Sequence, residues 1–459
     1  MPKSKLLKLD LLLVNPSLDY EQDIEKILSR RIEAGVGNQE SPHLGFAYII
    51  SSLRQHAYVA DFIDMPAEQV SLDTLLSNIA ERKPSIVGLT SYSIQINTAA
   101  TIAAEIKKRF PGILVCCGGP HVTVMPKETL EEFAGIDFIV CGEAELVFLQ
   151  ILNQLKQGKD LATIRGVVTR GKDDTSYDYI EKLDELPFPA WDAFDLELYP
   201  GLYPHRTKLE LPMSTSRGCP FSCIFCVRPF GKKRRHRTVD SVINEIKRNI
   251  EEFGCESISF VDETFIFNLE WSRQLFQTMI DEGINKQINW SCSTRVDNMT
   301  PEMFRLMKEA GCYYVFFGFE SGDDSILKNM KKSFLAADIQ RAVNMAKEAR
   351  LIVVGSFIIG LPGETEETVM KTIQFAKELD IYSTTFPIAV PFPGTTLRSQ
   401  AVASEYGMKI LTNNWDDYGK QYPGVMDSDD LSMDKRRELQ KYAYDMIPKK
   451  KLPDNYSDM

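Results

Sequence analysis

The stretch from Ser214 to Cys226, STSRGCPFSCIFC, places Cys219, Cys223 and Cys226 within eight residues, directly after a predicted strand at Met213–Arg217. Three thiols this close together cannot all pair with one another. Thiolates are the usual ligands of iron–sulfur clusters, which take four ligands. Three closely spaced cysteines therefore predict a cluster with one iron left open for a small molecule.

Three alternatives stay open for this triplet. Cys255, Cys292 and Cys312 are possible fourth ligands, although their flanking residues are typical of strand edges or a core. A structural zinc ion would need four ligands, usually at more symmetric spacings. The third alternative is chance clustering. The position of the triplet at the end of a strand in an alternating fold favours the cluster.

Strands and helices alternate from Pro212 to about Thr396. The predicted strands are Met213–Arg217, Ser257–Asp262, Asn289–Arg295, Tyr313–Glu320, Val353–Ile359 and Thr384–Val390. The predicted helices are Val239–Phe253, Trp271–Glu282, Pro301–Ala310, Ala336–Ala349 and Glu366–Leu379. Six such units predict a partial (β/α)6 TIM-like barrel, whose chemistry lies at the carboxyl ends of its strands.

The first 160 residues also alternate strand and helix, in continuous apolar runs such as KLDLLLV at Lys8–Val14 and SIVGLT at Ser85–Thr90. Runs of this kind are typical of parallel strands covered on both faces. The fold class is therefore α/β: an N-terminal doubly wound, Rossmann-like parallel sheet, then the partial barrel and a short helical C-terminus. Ligands of such sheets bind beyond the carboxyl ends of the strands.

These patterns predict four segments. Residues 1–160 form the first domain and 161–210 a proline-rich linker with one strand at Gly166–Arg170. Residues 211–400 form the barrel, and 401–459 form an extension with a helix at Met433–Met446 and a polar, frayed tail. The short apolar run near the start leads into Asn15-Pro16 without a cleavage site, so we interpret it as a strand rather than a signal peptide.

The composition of the 459 residues excludes several classes of function. A net charge of −11 argues against a general nucleic-acid binder, which needs a basic face. No run of 18 apolar residues exists, so no membrane span is expected. Nine cysteines without a secretory signal indicate reduced thiols or metal ligands, and hence a cytoplasmic protein.

The triplet and the barrel strands resemble the signature of the radical SAM superfamily. The resemblance implies a [4Fe–4S] cluster on the three cysteines, whose open iron binds S-adenosylmethionine. It places Asp262-Glu263 at the amino group of that ligand, Ser293 and Arg295 at its carboxylate, and Gly318 to Ser321 at its ribose. The full set of residues that it implies at S-adenosylmethionine is Phe225, Asp262, Glu263, Ser293, Arg295, Gly318, Glu320, Ser321, Ile358, Gly360 and Pro391.

Residues 7–160 resemble the cobalamin-binding domain that precedes the barrel in one class of that superfamily. The implied contacts are Asn15, Pro16, Thr90, Ser91, Tyr92, Gly118, Gly119, Pro120, His121, Gly142 and Glu143. None of the five histidines has an aspartate two residues before it, so the Asp-x-His-x-x-Gly motif that supplies a cobalt ligand is missing. The alternative is a cobalamin-like fold that has lost its ligand.

The resemblance implies an enzyme that cleaves S-adenosylmethionine reductively and methylates an unactivated carbon of a small molecule. An electron donor such as flavodoxin or ferredoxin would be its redox partner. Cyclisation, ring contraction or dehydration without methyl transfer, and a non-catalytic sensor, are the alternatives. The basic run Lys232–Arg237 either lines an opening for an acidic substrate or forms a solvated loop. Substrate and catalytic residues carry no sequence motif.

Overall fold

The computed structural model describes residues 9–17, 41–199, 209–297, 299–419 and 424–450. The chain forms two compact units. The first comprises Met1–Tyr199 and Asn414–Gly419, and the second comprises Pro200–Asn413 and Lys420–Met459. The predicted tail after residue 450, and linker residues 200–208, lie outside the described residues.

The first unit is built on a six-stranded sheet in the order β2-β1-β3-β4-β5-β6. Its strands are β1 Leu11–Asn15, β2 Ala60–Asp64, β3 Ile86–Thr90, β4 Leu114–Gly118, β5 Phe138–Val140 and β6 Val167–Thr169. Strands β1 to β5 are parallel, and β6 lies antiparallel to β5. Strands β1 and β3 are buried along their whole length, because helices cover both faces of the sheet.

In the described part of the first unit, seven helices connect and flank these strands. They are Leu44–Arg54, Met65–Glu68, Leu72–Arg82, Ile96–Arg109, Pro120–Val124, Pro126–Glu132 and Glu145–Lys156. The doubly wound, Rossmann-like sheet is confirmed. The strand predicted in the linker at Gly166–Arg170 joins this sheet as its antiparallel edge strand.

A short segment from late in the chain belongs to the first unit. Trp415 packs edge-on against His121, with 4.7 Å between ring centroids, and lies 4.8 Å from Tyr418. The side-chain amide of Asn97 donates to that of Asn414 over 3.0 Å. We call Asn414–Gly419 the returning segment. The sequence patterns gave no sign that it would leave the C-terminal extension.

The second unit contains six parallel strands in the order β12-β11-β10-β9-β8-β7. They are β7 Glu210–Met213, β8 Ser257–Phe260, β9 Asn289–Thr294, β10 Cys312–Glu320, β11 Ile352–Phe357 and β12 Ser383–Thr385. Its helices are Val239–Phe253, Leu269–Asp281, Pro301–Glu309, Asp324–Asn329, Ala336–Glu348, Glu366–Leu379, Thr396–Val402 and Met433–Met446. The partial barrel and the helical C-terminus are confirmed.

Aromatic rings fill the core of the second unit. Trp290 on β9 is fully buried, and its ring centroid lies 5.1 Å from that of Phe276 and 5.5 Å from that of Phe260. Gly355 on β11 lies against Phe319, and a Cβ at that position would collide with the ring. Within the described residues, no helix is both long and apolar enough to cross a membrane.

Two predicted barrel strands were wrong in extent. The first strand ends at Met213, and Ser216–Arg217 instead pairs antiparallel with Arg235–His236. The sixth strand ends at Thr385 because Pro387 lacks the N–H that a longer ladder needs. Beyond it only an isolated bridge joins Ile359 to Ile388.

We expect Trp415→Ala to lower the free energy of unfolding of the first unit by about 3 kcal/mol, because the substitution removes a ring that is 6% exposed. Hydrogen exchange of the β3 and β4 amides measures this change. Leu146→Ala, at a side chain of the same unit that is 43% exposed, is the control and should cost about 0.5 kcal/mol or less. Equal protection in Trp415→Ala and the control would show that the returning segment adds no stability.

Candidate active site

The three cysteines lie on a loop that follows β7 and is held from both sides. Gly218 has φ +94°, and a Cβ there would collide with the carbonyl oxygen of Lys233. The amide of Cys219 donates to Gly231 O over 3.0 Å. The amide of Ile224 donates to Met330 O over 3.3 Å, and its own carbonyl accepts from Leu397 N over 2.9 Å. The loop conformation is therefore set by backbone contacts.

The described part of the chain has no group of three His, Cys, Asp or Glu side chains that converge on one metal ion. A structural zinc ion holds its sulfurs about 2.3 Å away, so they crowd around a single point. The candidate fourth ligands lie elsewhere: Cys255, Cys292 and Cys312 are buried, and Cys255 donates to Ser257 O over 3.0 Å.

Asp262 follows β8 and fixes the backbone just before the cysteine loop. Its carboxylate accepts from Thr215 N over 3.1 Å, from Thr215 Oγ1 over 2.9 Å and from the hydroxyl of Ser216. Burial raises the pKa of Asp262, and the hydrogen bond from Ser216 opposes that rise. This carboxylate is occupied by partners inside the chain.

Glu263 differs from its neighbour because one of its carboxylate oxygens, Oε1, is buried without a hydrogen-bond partner among the described residues. Loss of solvation raises the pKa of Glu263. An incoming ammonium group would satisfy this oxygen. Of the predicted pair Asp262 and Glu263, only Glu263 has a buried carboxylate oxygen without a hydrogen bond among the described residues.

Arg295 follows β9 and reaches the cysteine loop. Its Nη1 lies 3.8 Å from Cys223 Sγ, while Nε and Nη2 each lie 2.8 Å from the carboxylate of Asp297. Nη2 also donates to Ser333 Oγ over 2.7 Å. Ser293 is exposed, and its carbonyl accepts from Phe265 N over 2.9 Å.

Glu320 ends β10 in the left-handed region, with φ +72°, and forms a buried ion pair with Lys332. The Lys332 ammonium lies 3.0 Å from Glu320 Oε1 and 3.2 Å from Gly318 O. A Cβ at Gly318 would lie 2.5 Å from Glu320 Oε1, so glycine makes room for this side chain. Ser321 is fully buried and its hydroxyl lies 3.1 Å from that of Thr372, so it is directed into the fold.

Phe225 and Ile358 both pack against one apolar cluster. The members of the cluster are Ile224, Ile326, Met330, Leu361, Ala389, Leu397, Ala401, Met408 and Met426. Pro391, two residues after Ala389 of this cluster, is also buried, and its carbonyl accepts from Arg398 over 3.2 Å. The side chains of Phe225 and Ile358 therefore give the site an apolar wall.

Gly360 is held by Glu364, which accepts from the amides of Gly360 over 2.6 Å and Leu361 over 2.9 Å. A Cβ at Gly360 would lie 2.6 Å from Nη1 of the buried Arg436. Burial raises the pKa of Glu364 to about 7 and lowers that of Arg436 to about 10. Glu364 therefore shapes the loop after β11 rather than capping the following helix, which Thr365 caps.

The basic run Lys232–Arg237 is not a solvated loop throughout. Lys232 and Lys233 are exposed, but Arg235 and Arg237 are buried, and Arg237 pairs with the buried Glu245. Arg234 donates to Ser216 Oγ over 2.9 Å and to the carbonyl of Thr264. Most of the run therefore stabilises the cysteine loop and the end of β8.

In the first unit, several predicted cobalamin contacts form internal hydrogen bonds. The Asn15 amide donates to Asp64 over 2.9 Å, and Gln95 donates to Asn15 and to Pro16 O. Glu143 is buried and accepts from Ile180 N over 2.7 Å, while Tyr177 covers Gly142 closely enough to collide with a Cβ there. These side chains order the turns.

A second set of predicted contacts surrounds Gly119, which has φ +104°. A Cβ there would lie 2.7 Å from Ser91 O, so only glycine permits this approach. Thr90 and Ser91 are buried, and His121 is 3% exposed with Nδ1 3.0 Å from Ser93 Oγ. Tyr92 is 58% exposed. Gly118 to Pro120 are partly exposed, so Tyr92 and this backbone are accessible at the edge.

Two side chains of the site, Arg234 and Lys332, were not predicted as site residues, although Arg234 lies in the basic run noted above. Each lies in a basic pair or run, which on sequence alone is most simply read as a solvated surface. The only signal was position, since both stretches follow the end of a barrel-strand motif. Their contacts become visible only once the loops are placed.

Comparisons with known proteins agree with this geometry. The family model described as Radical SAM superfamily matches residues 213–376, and the B12 binding domain model matches residues 31–152. An uncharacterized methyltransferase of Pyrococcus horikoshii is 37% identical over 383 residues, which is 82% of this chain and 81% of that protein. The chain belongs to the radical SAM superfamily. Because the chain also contains a B12-binding domain, it belongs to the radical SAM class with an N-terminal domain of this kind.

More distant relatives include cytidylyl-2-hydroxyethylphosphonate methyltransferase of Streptomyces wedmorensis, 26% identical over 78% of this chain and 77% of that protein. Anaerobic magnesium-protoporphyrin IX monomethyl ester cyclase of Cereibacter sphaeroides is 27% identical over 78% of this chain and 60% of that protein. The fold is similar to that of the radical S-adenosylmethionine methyltransferase TsrM from Kitasatospora setae, with TM-score 0.70, 18% identity and coverage of 90% and 83%.

A [4Fe–4S] cluster, S-adenosylmethionine and cobalamin are the cofactors of this radical SAM class. The residues present fit them. Three thiols on a loop at the carboxyl end of β7 are a cluster donor set. The unpartnered Glu263 Oε1 fits an ammonium group, and the partly exposed backbone of Gly118 to Pro120 near the exposed Tyr92 fits a ligand that the backbone approaches.

We expect Asp262→Asn to lower the iron content of the reconstituted chain by at least half. An amide has one acceptor oxygen in place of two, so at least one of three buried hydrogen bonds is lost, at about 1–3 kcal/mol. Iron per chain after anaerobic reconstitution is the measurement, and Asp240→Asn, at an exposed helix position, is the control. Wild-type iron content in Asp262→Asn would contradict the role of Asp262 in ordering the loop.

The raised pKa of Glu364 predicts a pH-dependent stability. Its pKa is about 7 in the folded chain against an ordinary 4.5, so the folded state retains the proton more readily. The contribution of Glu364 to the free energy of unfolding is fully present below pH 4.5 and is lost as the pH rises through 7. Glu364→Gln should therefore gain a few kcal/mol relative to wild type between pH 4.5 and 7 in denaturant titrations. Glu367→Gln, at an exposed position, is the control, and a pH-independent difference for Glu364→Gln would refute the shift.

Proposed function

We propose that this chain is a cobalamin-dependent radical SAM methyltransferase that methylates an unactivated carbon of a small molecule. The observation that carries the proposal is the presence, on one chain, of the cysteine loop at the end of β7 and the B12-binding domain. The 37% identical relative, which bears a methyltransferase name, supports the same assignment. When bound, the cluster supplies one electron to the sulfonium, and cobalamin supplies the methyl group.

Side chains of the second unit would bind and orient S-adenosylmethionine. Cys219, Cys223 and Cys226 would hold the cluster, and Glu263 Oε1 would accept from the amino group. Arg295 is bidentate to Asp297, so its Nη1 is the part that would reach the carboxylate. Glu320 would bind the ribose hydroxyls, and Phe225 and Ile358 would flank the adenine.

In the first unit, Tyr92 and the backbone of Gly118 to Pro120 would contact cobalamin. His121 is bonded to Ser93 and covered by Trp415, so it is not placed as a cobalt ligand. Asn15, Ser91 and Glu143 would act by fixing the turns around the cofactor. A low-potential donor such as flavodoxin or ferredoxin would supply the electron, in the cytoplasm.

The test is an anaerobic incubation of the reconstituted chain with a strong reductant, hydroxocobalamin and S-adenosylmethionine carrying a labelled methyl group. We expect 5′-deoxyadenosine and transfer of the label to cobalamin, both in the absence of a substrate. Cys223→Ala should lose the 5′-deoxyadenosine, because the cluster needs all three thiolates. Cys292→Ala, at a buried cysteine outside the loop, is the matched control and should keep it.

A second function is favoured by the cyclase relative from Cereibacter sphaeroides, which is named for ring formation rather than methylation. In that case the chain would form 5′-deoxyadenosine, and the methyl label would leave on the released methionine, with none transferred to cobalamin. That result would replace the methyltransferase proposal with radical cyclisation. Failure to form 5′-deoxyadenosine under strong reductant would contradict both.

A further inference from the structure

Three cationic side chains, Arg234, Arg295 and Lys332, lie around the cysteine loop. The clearest case is Arg295, whose Nη1 lies 3.8 Å from the sulfur of Cys223. The Asp297 carboxylate bonds to Nε and Nη2, on another edge of the same guanidinium. The ion pair is therefore a dipole whose positive end faces the sulfur.

Lys332 plays the same part near Cys226. Its side chain is only 5% exposed, and its ammonium lies 5.5 Å from the ring centroid of Phe225, the residue just before Cys226. Its ion-pair partner Glu320, at 3.0 Å, carries the opposing charge.

Arg234 is the third cation, and it lies at the start of the loop, before Cys219. Its guanidinium contacts Ser216, three residues before Cys219, and the carbonyl of Thr264, the residue after Glu263. Nη2 donates to Ser216 Oγ over 2.9 Å and Nε to His236 Nε2 over 3.1 Å, which holds the group at the start of the loop. Nη1 is buried and has no hydrogen-bond partner within the described residues.

We propose that Arg234, Arg295 and Lys332, which lie around the cysteine loop, set the reduction potential of the cluster. Reduction adds one electron from an external low-potential donor to the cluster, and no bond forms or breaks. A nearby cation stabilises the reduced cluster more strongly than the oxidised cluster, because the reduced cluster carries one more negative charge. The effect is large for a buried cation, because solvent screens its charge poorly. The three cations therefore make the cluster easier to reduce. The proposal rests on the cluster but not on methyl transfer.

The chain offers matched pairs of variants. Lys332→Gln removes a buried charge, and Lys331→Gln removes the exposed charge next to it. Arg234→Gln and the exposed Lys233→Gln form a second pair. Lys332→Arg and Arg234→Lys keep the charge. Arg295 is left unchanged because it is also assigned to the carboxylate of S-adenosylmethionine.

The experiment is a potentiometric titration of the anaerobically reconstituted full chain without S-adenosylmethionine, followed by EPR of the reduced cluster at about four irons per chain. Lys332→Gln and Arg234→Gln should each lower the equilibrium constant for reduction about tenfold, which is about 59 mV for one electron. Lys331→Gln, Lys233→Gln and the two charge-conserving variants should match wild type. Unchanged potentials in the iron-loaded Gln variants would overturn the proposal.

Variants of the paired carboxylates keep the test decisive should the cation variants fail to hold iron. Asp297→Asn and Glu320→Gln leave Arg295 and Lys332 unopposed, so both should shift the potential to less negative values. If the ion pairs had only a structural role, the carboxylate variants and the cation variants would not shift the reduction potential in opposite directions. A shift to more negative values, or none, would overturn the proposal. These readouts do not depend on methyl transfer, so its failure in the turnover assay leaves them interpretable.

Discussion

Three thiolates from one eight-residue loop must be held at the spacing of an iron–sulfur cube before either S-adenosylmethionine or an electron can be handled. The loop has almost no regular structure of its own. Its shape comes from the close approach of Gly218 to Lys233, from backbone bonds to Gly231 and Met330, and from the Asp262 carboxylate behind it. Everything assigned to the second unit depends on this anchoring.

Charge is the second constraint on the site. The carboxyl ends of β8, β9 and β10 each present an acidic group paired with, or close to, a cation: Glu263 with Arg234, Asp297 with Arg295, and Glu320 with Lys332. Such pairs are costly to bury, and each needs extra hydrogen bonds to be tolerated. The three pairs lie around the cysteine loop. A zwitterionic ligand and a negatively charged cluster bound there would both need opposite charges nearby, and these pairs would supply them.

Much of this could be predicted from the sequence. Continuous apolar strands alternating with amphipathic helices determine both sheets, and the helices at Val239–Phe253, Glu366–Leu379 and Met433–Met446 were predicted to the residue. The cysteine triplet and the ends of the barrel strands located the site. Strand extents were less well predicted. The antiparallel pairing of Ser216–Arg217 depends on its partner strand Arg235–His236, whereas Pro387 is a local signal that the predicted sixth strand did not take into account.

Contacts that close over long sequence separations could not be predicted. The return of Trp415 to His121 spans almost 300 residues and has no local pattern. Burial of Arg234 and Lys332 depends on loops that only the fold brings together. The commitment of Asn15 and Glu143 to internal hydrogen bonds is likewise a property of the packed turns.

The central claim is that a cluster on Cys219, Cys223 and Cys226 keeps one iron open for S-adenosylmethionine. Electron–nuclear double resonance of the reduced, reconstituted chain with S-adenosylmethionine labelled with ¹⁵N in its amino group tests this directly. We expect a ¹⁵N coupling to the cluster that disappears when unlabelled ligand replaces the labelled one. A chain that holds zinc, or a reduced cluster whose spectrum shows no coupling to the labelled ligand, would contradict it.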